Sequence, residues 1–153
     1  MAAAAAAVVV ACAAAVAAGA LASPPQGPAR DLDGSFTSRA LGRTLRFDAF
    51  LPRGYDRGLR RYPVIYLLHG LPAGARSYHG ASFVVRQLDA EPVIVIAPEG
   101  ATDSDSDPEY HDWGRGRNWE TALTRELTRV VDARFRTIRS RAGRAVVGFS
   151  AGG

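Results

Sequence analysis

The sequence predicts an α/β fold built on a mostly parallel sheet with helices on both faces. Residues 62–68 and 92–97 form short, continuous apolar runs, which are typical of strands covered on both faces. Apolar residues at spacings of three and four predict a long helix from 118 to 135, and a similar pattern predicts a shorter one at 82–88. A third apolar run, at 144–148, completes an alternation of strands and helices, the pattern of a sheet with right-handed crossovers.

Residues 35–51 precede this alternation and follow a different period. They predict two short strands joined around Gly42-Arg43, because the second part places Leu45, Phe47 and every second residue after them on one face. We therefore expect an antiparallel hairpin at the entry to the sheet. In the long helix, Asn118 is the expected N-cap, and the apolar stripe comprises Trp119, Leu123, Leu127, Val130, Val131 and Phe135.

The N-terminal residues predict export. Residues 1–22 are uncharged and end in small residues, as a cleaved signal peptide does, and the Pro-rich residues 23–30 predict a linker before a domain at 31–153. An uncleaved anchor and a misassigned start are the alternatives. Cys12 is the one cysteine, so no intrachain disulfide is possible, and the apolar run continues ten residues beyond it, which disfavours a lipidated cysteine.

The charge of the chain does not indicate a nucleic-acid partner. The formal net charge is +4, and all 19 basic residues are Arg. These arginines are spread from Arg30 to Arg144 without an interleaved aromatic stripe, whereas nucleic-acid-binding proteins cluster them. Together with the N-terminal segment, this predicts a secreted or cell-envelope protein without a nucleic-acid partner, which contacts a membrane only transiently through its signal peptide. The sequence does not indicate the oligomeric state.

The candidate nucleophile is Ser150. Residues 148–152 read Gly-Phe-Ser-Ala-Gly directly after a predicted strand, which is the context of a nucleophile elbow. Such an elbow turns so sharply that a Cβ two residues before or after the serine would clash, which explains Gly148 and Gly152. The pattern predicts that the Ser150 hydroxyl projects above the sheet.

The loop after the first buried strand is the candidate oxyanion loop. It begins with His69-Gly70-Leu71, and the alternative is a plain strand-ending turn. Attack on a carbonyl creates a negative oxygen that fixed backbone N–H groups stabilise. We expect the amides of Leu71 and Ala151 to supply these two donors, with Gly70 as a loop glycine.

Together, residues 61–153 resemble the Putative esterase family of α/β-hydrolases, which includes S-formylglutathione hydrolases, feruloyl and acetylxylan esterases and mycolyltransferases. The resemblance rests on the Ser150 elbow and on the segments 62–70, 93–100, 119–127 and 134–138, in the family's order and spacing. It implies an α/β-hydrolase fold that is truncated here after the elbow. It also implies catalysis on small-molecule or carbohydrate esters through an acyl-enzyme, without a cofactor or a metal.

In this family the triad acid and histidine follow the serine. His69, His79 and His111 all precede Ser150, so the resemblance implies that none of them is the general base and that these 153 residues alone are inactive. His79 and His111 are then expected at the surface. An acyltransferase, a serine peptidase and a non-catalytic cell-envelope module with the same fold are the alternatives.

One segment superficially resembles a calcium loop. Asp103, Asp105 and Asp107 alternate as in an EF-hand, but Pro108 and Gly114 replace the required Gly and Glu, which favours a solvated loop. Tyr110, Trp113 and Trp119 are candidates for a substrate pocket near that loop, although Trp119 also fits the helix stripe. Roles of Arg43, Arg53 and residues 101–117 in substrate choice stay open.

Overall fold

The computed structural model describes residues 30–71, 73, 77, 79, 91–101 and 109–153. The predicted signal peptide, all but the last residue of the linker, the helix at 82–88 and the carboxylates at 103–107 lie outside these residues. No helix in the described ranges has the length and apolar character that a bilayer crossing requires.

Five strands form one mixed sheet in the order β1-β2-β4-β3-β5. β1 and β2 form the predicted antiparallel hairpin, and β2 also pairs antiparallel with β4, while β4, β3 and β5 run parallel. The bounds are β1 Arg30–Ser38, β2 Arg43–Leu51, β3 Val64–Leu68, β4 Ile94–Pro98 and β5 Arg144–Gly148. The predicted α/β class is confirmed, and the mixed sheet owes its antiparallel half to the entry hairpin.

β5 has the predicted bounds. Among the described strands it pairs only with β3, so it lies at an edge, and Val146 and Val147 are 67% and 46% exposed. β3 begins at Val64 rather than Tyr62, because Pro63 has no N–H for the ladder. Tyr62 instead exchanges backbone hydrogen bonds with the stretch around Thr137.

One long helical segment, α1, crosses one face of the sheet. It consists of α-helical Trp119–Thr121, π-helical Ala122–Leu127 and α-helical Thr128–Arg134. The predicted apolar stripe packs on side chains of β2, β3 and β4, and Trp119, Leu127 and Val131 are fully buried there. On the opposite face a smaller cluster gathers Phe50, Val95 and Ala97. Apolar side chains on both faces are what the continuous runs predicted.

The N-cap prediction for α1 was wrong. Asn118 makes no cap hydrogen bond, and its Oδ1 instead accepts from the amide of Gly114. Asp112 takes the role, because its carboxylate accepts hydrogen bonds from both the amide and the hydroxyl of Thr121, at 2.9 and 2.6 Å. These bonds hold the pKa of Asp112 below its usual value. The stabilisation is therefore complete above the ordinary carboxyl range and is lost as the pH falls through the lowered pKa.

The π-helical turn carries the helix's connection to the hairpin. The carboxylate of Glu126 accepts a 2.5 Å hydrogen bond from the buried Ser38 hydroxyl and 3.2 Å bonds from the amides of Arg39 and Ala40. The Thr128 hydroxyl donates to the carbonyl of Leu123, five residues earlier. A single carboxylate thus accepts hydrogen bonds from three donors at the turn between β1 and β2, and these bonds orient the hairpin relative to α1.

Candidate active site

The strand β5 ends in a sharp turn at Ser150. Ser150 has φ 54°, and it is the one non-glycine residue with positive φ in the described ranges. Phe149 before it is extended, and residues Ser150–Gly152 form a single 3-10 turn in which Gly152 N–H donates to the carbonyl of Phe149 at 3.0 Å. A left-handed serine costs about 1–3 kcal/mol, so this is stored backbone strain at the predicted nucleophile.

The two flanking glycines are sterically required. A Cβ added at Gly148 would overlap the carbonyl oxygen of Gly152 and lie 2.8 Å from the amide nitrogen of Gly153. A Cβ added at Gly152 would lie 2.6 Å from the carbonyl oxygen of Leu68. Real Cβ atoms do not approach backbone atoms this closely, so the turn depends on glycine at both positions.

The turn packs against the carboxyl end of β3. Leu68 is the register partner of Gly148, and the amide of Phe149 donates to the carbonyl of Leu68 at 3.3 Å. Beyond this point the backbone of Gly70 lies so near the elbow that an added Cβ would be 2.8 Å from the Cβ of Ser150. The structure therefore brings the start of the predicted oxyanion loop against the predicted nucleophile.

The two predicted oxyanion donors adjoin this contact. Leu71 follows Gly70 and Ala151 follows Ser150, and both residues are half-buried. Apart from hydrogen bonds within the helices and strands themselves, neither backbone amide donates to a backbone carbonyl of another described residue. An oxyanion site requires backbone amides that can donate to the substrate oxygen.

Tyr110 contacts the first residue of the predicted oxyanion loop, His69. Its hydroxyl donates a 2.8 Å hydrogen bond to the carbonyl of His69, and its ring meets the His69 ring edge-on at 6.0 Å. The backbone of Gly100 lies directly against the tyrosine hydroxyl. Burial raises the pKa of Tyr110, so the phenol remains a neutral donor. The sequence did not predict this contact, because His69 and Tyr110 are 41 residues apart.

The other aromatic candidates divide between surface and core. Trp119 is 3% exposed and belongs to the main core, whereas Trp113 is 40% exposed and meets the His111 ring edge-on. Tyr110 lines a cavity of about 300 Å³ between the sheet and α1, together with Tyr66, Leu123 and Leu127. Of the three predicted pocket aromatics, Tyr110 alone lines this cavity.

The three histidines occupy different environments. His69 Nδ1 lies 3.2 Å from the carbonyl oxygen of Gly70, and His111 is exposed, 3.6 Å from the Glu109 carboxylate. His79 was expected at the surface, but it is half-buried and its Nδ1 lies 2.7 Å from Asp48 Oδ2. Within the described part of the chain no histidine is hydrogen-bonded to Ser150.

Arg43 has a structural role. Its guanidinium pairs at 2.9 Å with the buried carboxylate of Glu99 and lies over the Trp119 ring, 5.1 Å from its centroid. Glu99 also accepts a hydrogen bond from the amide of Arg46 at 3.1 Å. This network joins the end of β4 to the hairpin and to α1.

The family model described as Putative esterase matches residues 38–153. An esterase of Mycobacterium tuberculosis (strain H37Rv) is 34% identical over 120 residues, which cover 77% of this chain and 26% of that protein. An endo-1,4-β-xylanase/feruloyl esterase of Xylanibacter ruminicola is 30% identical over 132 residues, covering 78% of this chain and 18% of that protein.

Solved structures share the fold. A ferulic acid esterase superposes with a TM-score of 0.71 at 24% identity, covering 84% of this chain and 51% of that one. The chain thus spans about half the length of this structure and about a quarter or less of the curated relatives. Its sheet, with the sharp turn after β5, has the α/β-hydrolase fold, and the chain belongs to the Putative esterase family.

Proposed function

We propose that this chain supplies the nucleophile and the oxyanion hole of a serine carboxylic-ester hydrolase. The observation that carries the proposal is the strained Ser150, which sits at φ 54° on a glycine-flanked turn against the end of β3. Strain concentrates at functional sites when the surroundings enforce it, and here backbone atoms of two strands enforce it. Membership in an esterase family agrees with this chemistry.

In the proposed reaction, Ser150 Oγ attacks the ester carbonyl while a general base takes its proton. The carbonyl oxygen becomes negative, and the Leu71 and Ala151 amides stabilise it. Collapse breaks the bond to the alcohol, which leaves with a proton, and the acyl group remains on Oγ. Water then attacks the carbonyl of the acyl-enzyme, and the general base takes its proton. When the bond to Ser150 Oγ breaks, the protonated base returns a proton to Oγ, which releases the acid and restores the hydroxyl.

The base and its acidic partner are assigned to residues after Ser150 in the complete protein. This assignment follows the order of the triad in the family. It agrees with the positions of the three histidines, since His69 contacts the carbonyl of Gly70, His79 contacts Asp48, and His111 is exposed. No cofactor is part of the proposed mechanism.

The proposed substrate is a small-molecule or carbohydrate ester outside the cytoplasm. One relative is named a feruloyl esterase, and solved neighbours include a ferulic acid esterase in complex with ferulic acid. Export would follow from the signal peptide proposed for residues 1–22. A polymer-linked ester is the kind of substrate that an exported enzyme meets.

A pre-steady-state measurement tests this function. With p-nitrophenyl acetate, the complete protein that contains this chain is expected to release a burst of about one equivalent of p-nitrophenol, followed by slower turnover. Acetyl-amide analogues are expected to react far more slowly. Added alcohol is expected to accept part of the acetyl groups as an ester, but hydrolysis should proceed without it.

Each alternative has its own outcome in this assay. Efficient cleavage of peptide amides would identify a peptidase, and acyl transfer to a sugar without release of free acid would identify an acyltransferase. Absence of both a burst and steady-state release of p-nitrophenol from the folded protein would indicate a non-catalytic module and would contradict the proposal.

A further inference from the structure

A second group of chemistry-bearing side chains lies on the entry hairpin. Asp33 on β1, Asp48 on β2 and His79 each offer one ligand atom, and these three atoms lie within 4.8 Å of one another. They line a cavity of about 250 Å³ together with Asp31, Leu32 and Phe50. The esterase chemistry proposed above uses none of them.

The strand register places the two carboxylates against each other. Asp33 and Asp48 are direct partners in the antiparallel β1–β2 ladder. Like charges at directly opposed positions destabilise a sheet, because the side chains start only about 5 Å apart. Asp31 adds a third carboxylate to the same cavity, two residues along β1 and therefore on the same face. A cation between the strands would convert this repulsion into attraction.

Asp48 also holds a buried oxygen that the protein does not satisfy. Its side chain is only 10% exposed, and while Oδ2 contacts His79, Oδ1 is buried without a hydrogen-bond partner. Burial raises the pKa of Asp48 most, His79 opposes this shift, and Asp33 adds to it. A buried oxygen left without a partner costs about 1–3 kcal/mol, so such atoms require a specific reason.

We propose that Asp33, Asp48 and His79 bind one divalent transition-metal ion of the Zn²⁺ class. One imidazole nitrogen and two carboxylate oxygens are a common protein ligand set for Zn²⁺, with water or Asp31 available as a fourth ligand. Two carboxylates and a neutral imidazole balance the charge of the ion. The ion supplies the missing partner for Asp48 Oδ1.

The ligand chemistry selects Zn²⁺ over Ca²⁺ and Mg²⁺. Those two ions prefer six or more oxygen ligands, whereas an imidazole nitrogen favours zinc and related metals. The expected role is structural, because the ion joins the hairpin to the segment containing His79.

Calorimetric titration of the chelator-treated complete protein with ZnCl₂ tests the site. We expect one ion per chain, weak or no binding of CaCl₂ and MgCl₂, and a melting temperature that rises with Zn²⁺ concentration. Asp33→Asn changes an exposed side chain and should leave the fold intact. Both Asp33→Asn and His79→Gln should weaken Zn²⁺ binding at least tenfold.

His111→Gln is the matched control, since His111 also lies beside a carboxylate, Glu109, but at the surface. It should bind Zn²⁺ as the unchanged protein does. Failure of the unchanged protein to bind Zn²⁺, a Zn²⁺ affinity in His79→Gln or Asp33→Asn equal to that of the unchanged protein, or a preference for Ca²⁺ would each overturn the proposal. These readouts measure binding, so they stand apart from any result on ester hydrolysis.

Discussion

Ser150→Ala is expected to reduce kcat for ester hydrolysis by about 10⁴–10⁶-fold, because it removes the atom that forms the acyl-enzyme. The oxyanion amides and the binding surface remain, so KM should change little. Steady-state hydrolysis of p-nitrophenyl acetate by the complete protein measures both parameters. Ser140→Ala, at an exposed serine in extended backbone, is the matched control and should retain full activity.

A second variant at the same position separates chemistry from folding. Ser150→Gly also removes the hydroxyl, but glycine adopts φ 54° without strain. We therefore expect it to be inactive and more stable by about 1 kcal/mol in urea denaturation. An active Ser150→Gly or Ser150→Ala protein would show that another group attacks the ester.

Gly148→Ala is expected to displace Ser150, two residues later, and so to lower activity. The new methyl group would overlap the carbonyl of Gly152, and the atoms it meets are backbone atoms that cannot rotate away. The turn must shift, and displacement of a nucleophile by about 1 Å costs about 10²-fold in rate. Overpacking should also lower the free energy of unfolding by about 1–3 kcal/mol.

Gly58→Ala provides the control for this substitution. Gly58 is extended, and the nearest atom to its added Cβ is 4.0 Å away, so neither stability nor activity should fall. Measurement of kcat/KM and of the urea midpoint on both variants checks the prediction. Equal behaviour of Gly148→Ala and Gly58→Ala would mean that the close packing of the turn has no role.

Local patterns in the sequence predicted the elements that depend on neighbouring residues. The bounds of β5 at Arg144–Gly148 agree with the apolar run, and the glycines around Ser150 indicated the turn, because both signals lie within a few residues. The stripe of α1 followed from its helical period, and Trp119 is buried as that period required. Tight turns and amphipathic helices are encoded locally.

Contacts between distant segments were not predictable in the same way. The carboxylate of Asp112 caps α1 from nine residues before Thr121, and the apolar pattern that located the helix contains no sign of it. Asp33 and Asp48 meet because the β1–β2 register pairs them, and His79 contacts Asp48 from 31 residues further along the chain. Strand order likewise depends on long-range pairing, which periodicity does not specify.

Covalent labelling of the complete protein with a fluorophosphonate, followed by peptide mass spectrometry, tests the central claim most directly. Phosphonylation transfers the phosphorus group to an activated serine and releases fluoride, so it reports the nucleophile itself. We predict one adduct per chain, on Ser150, that is lost in Ser150→Ala and retained in Ser140→Ala. A modified protein whose adduct lies on any other residue would contradict the account.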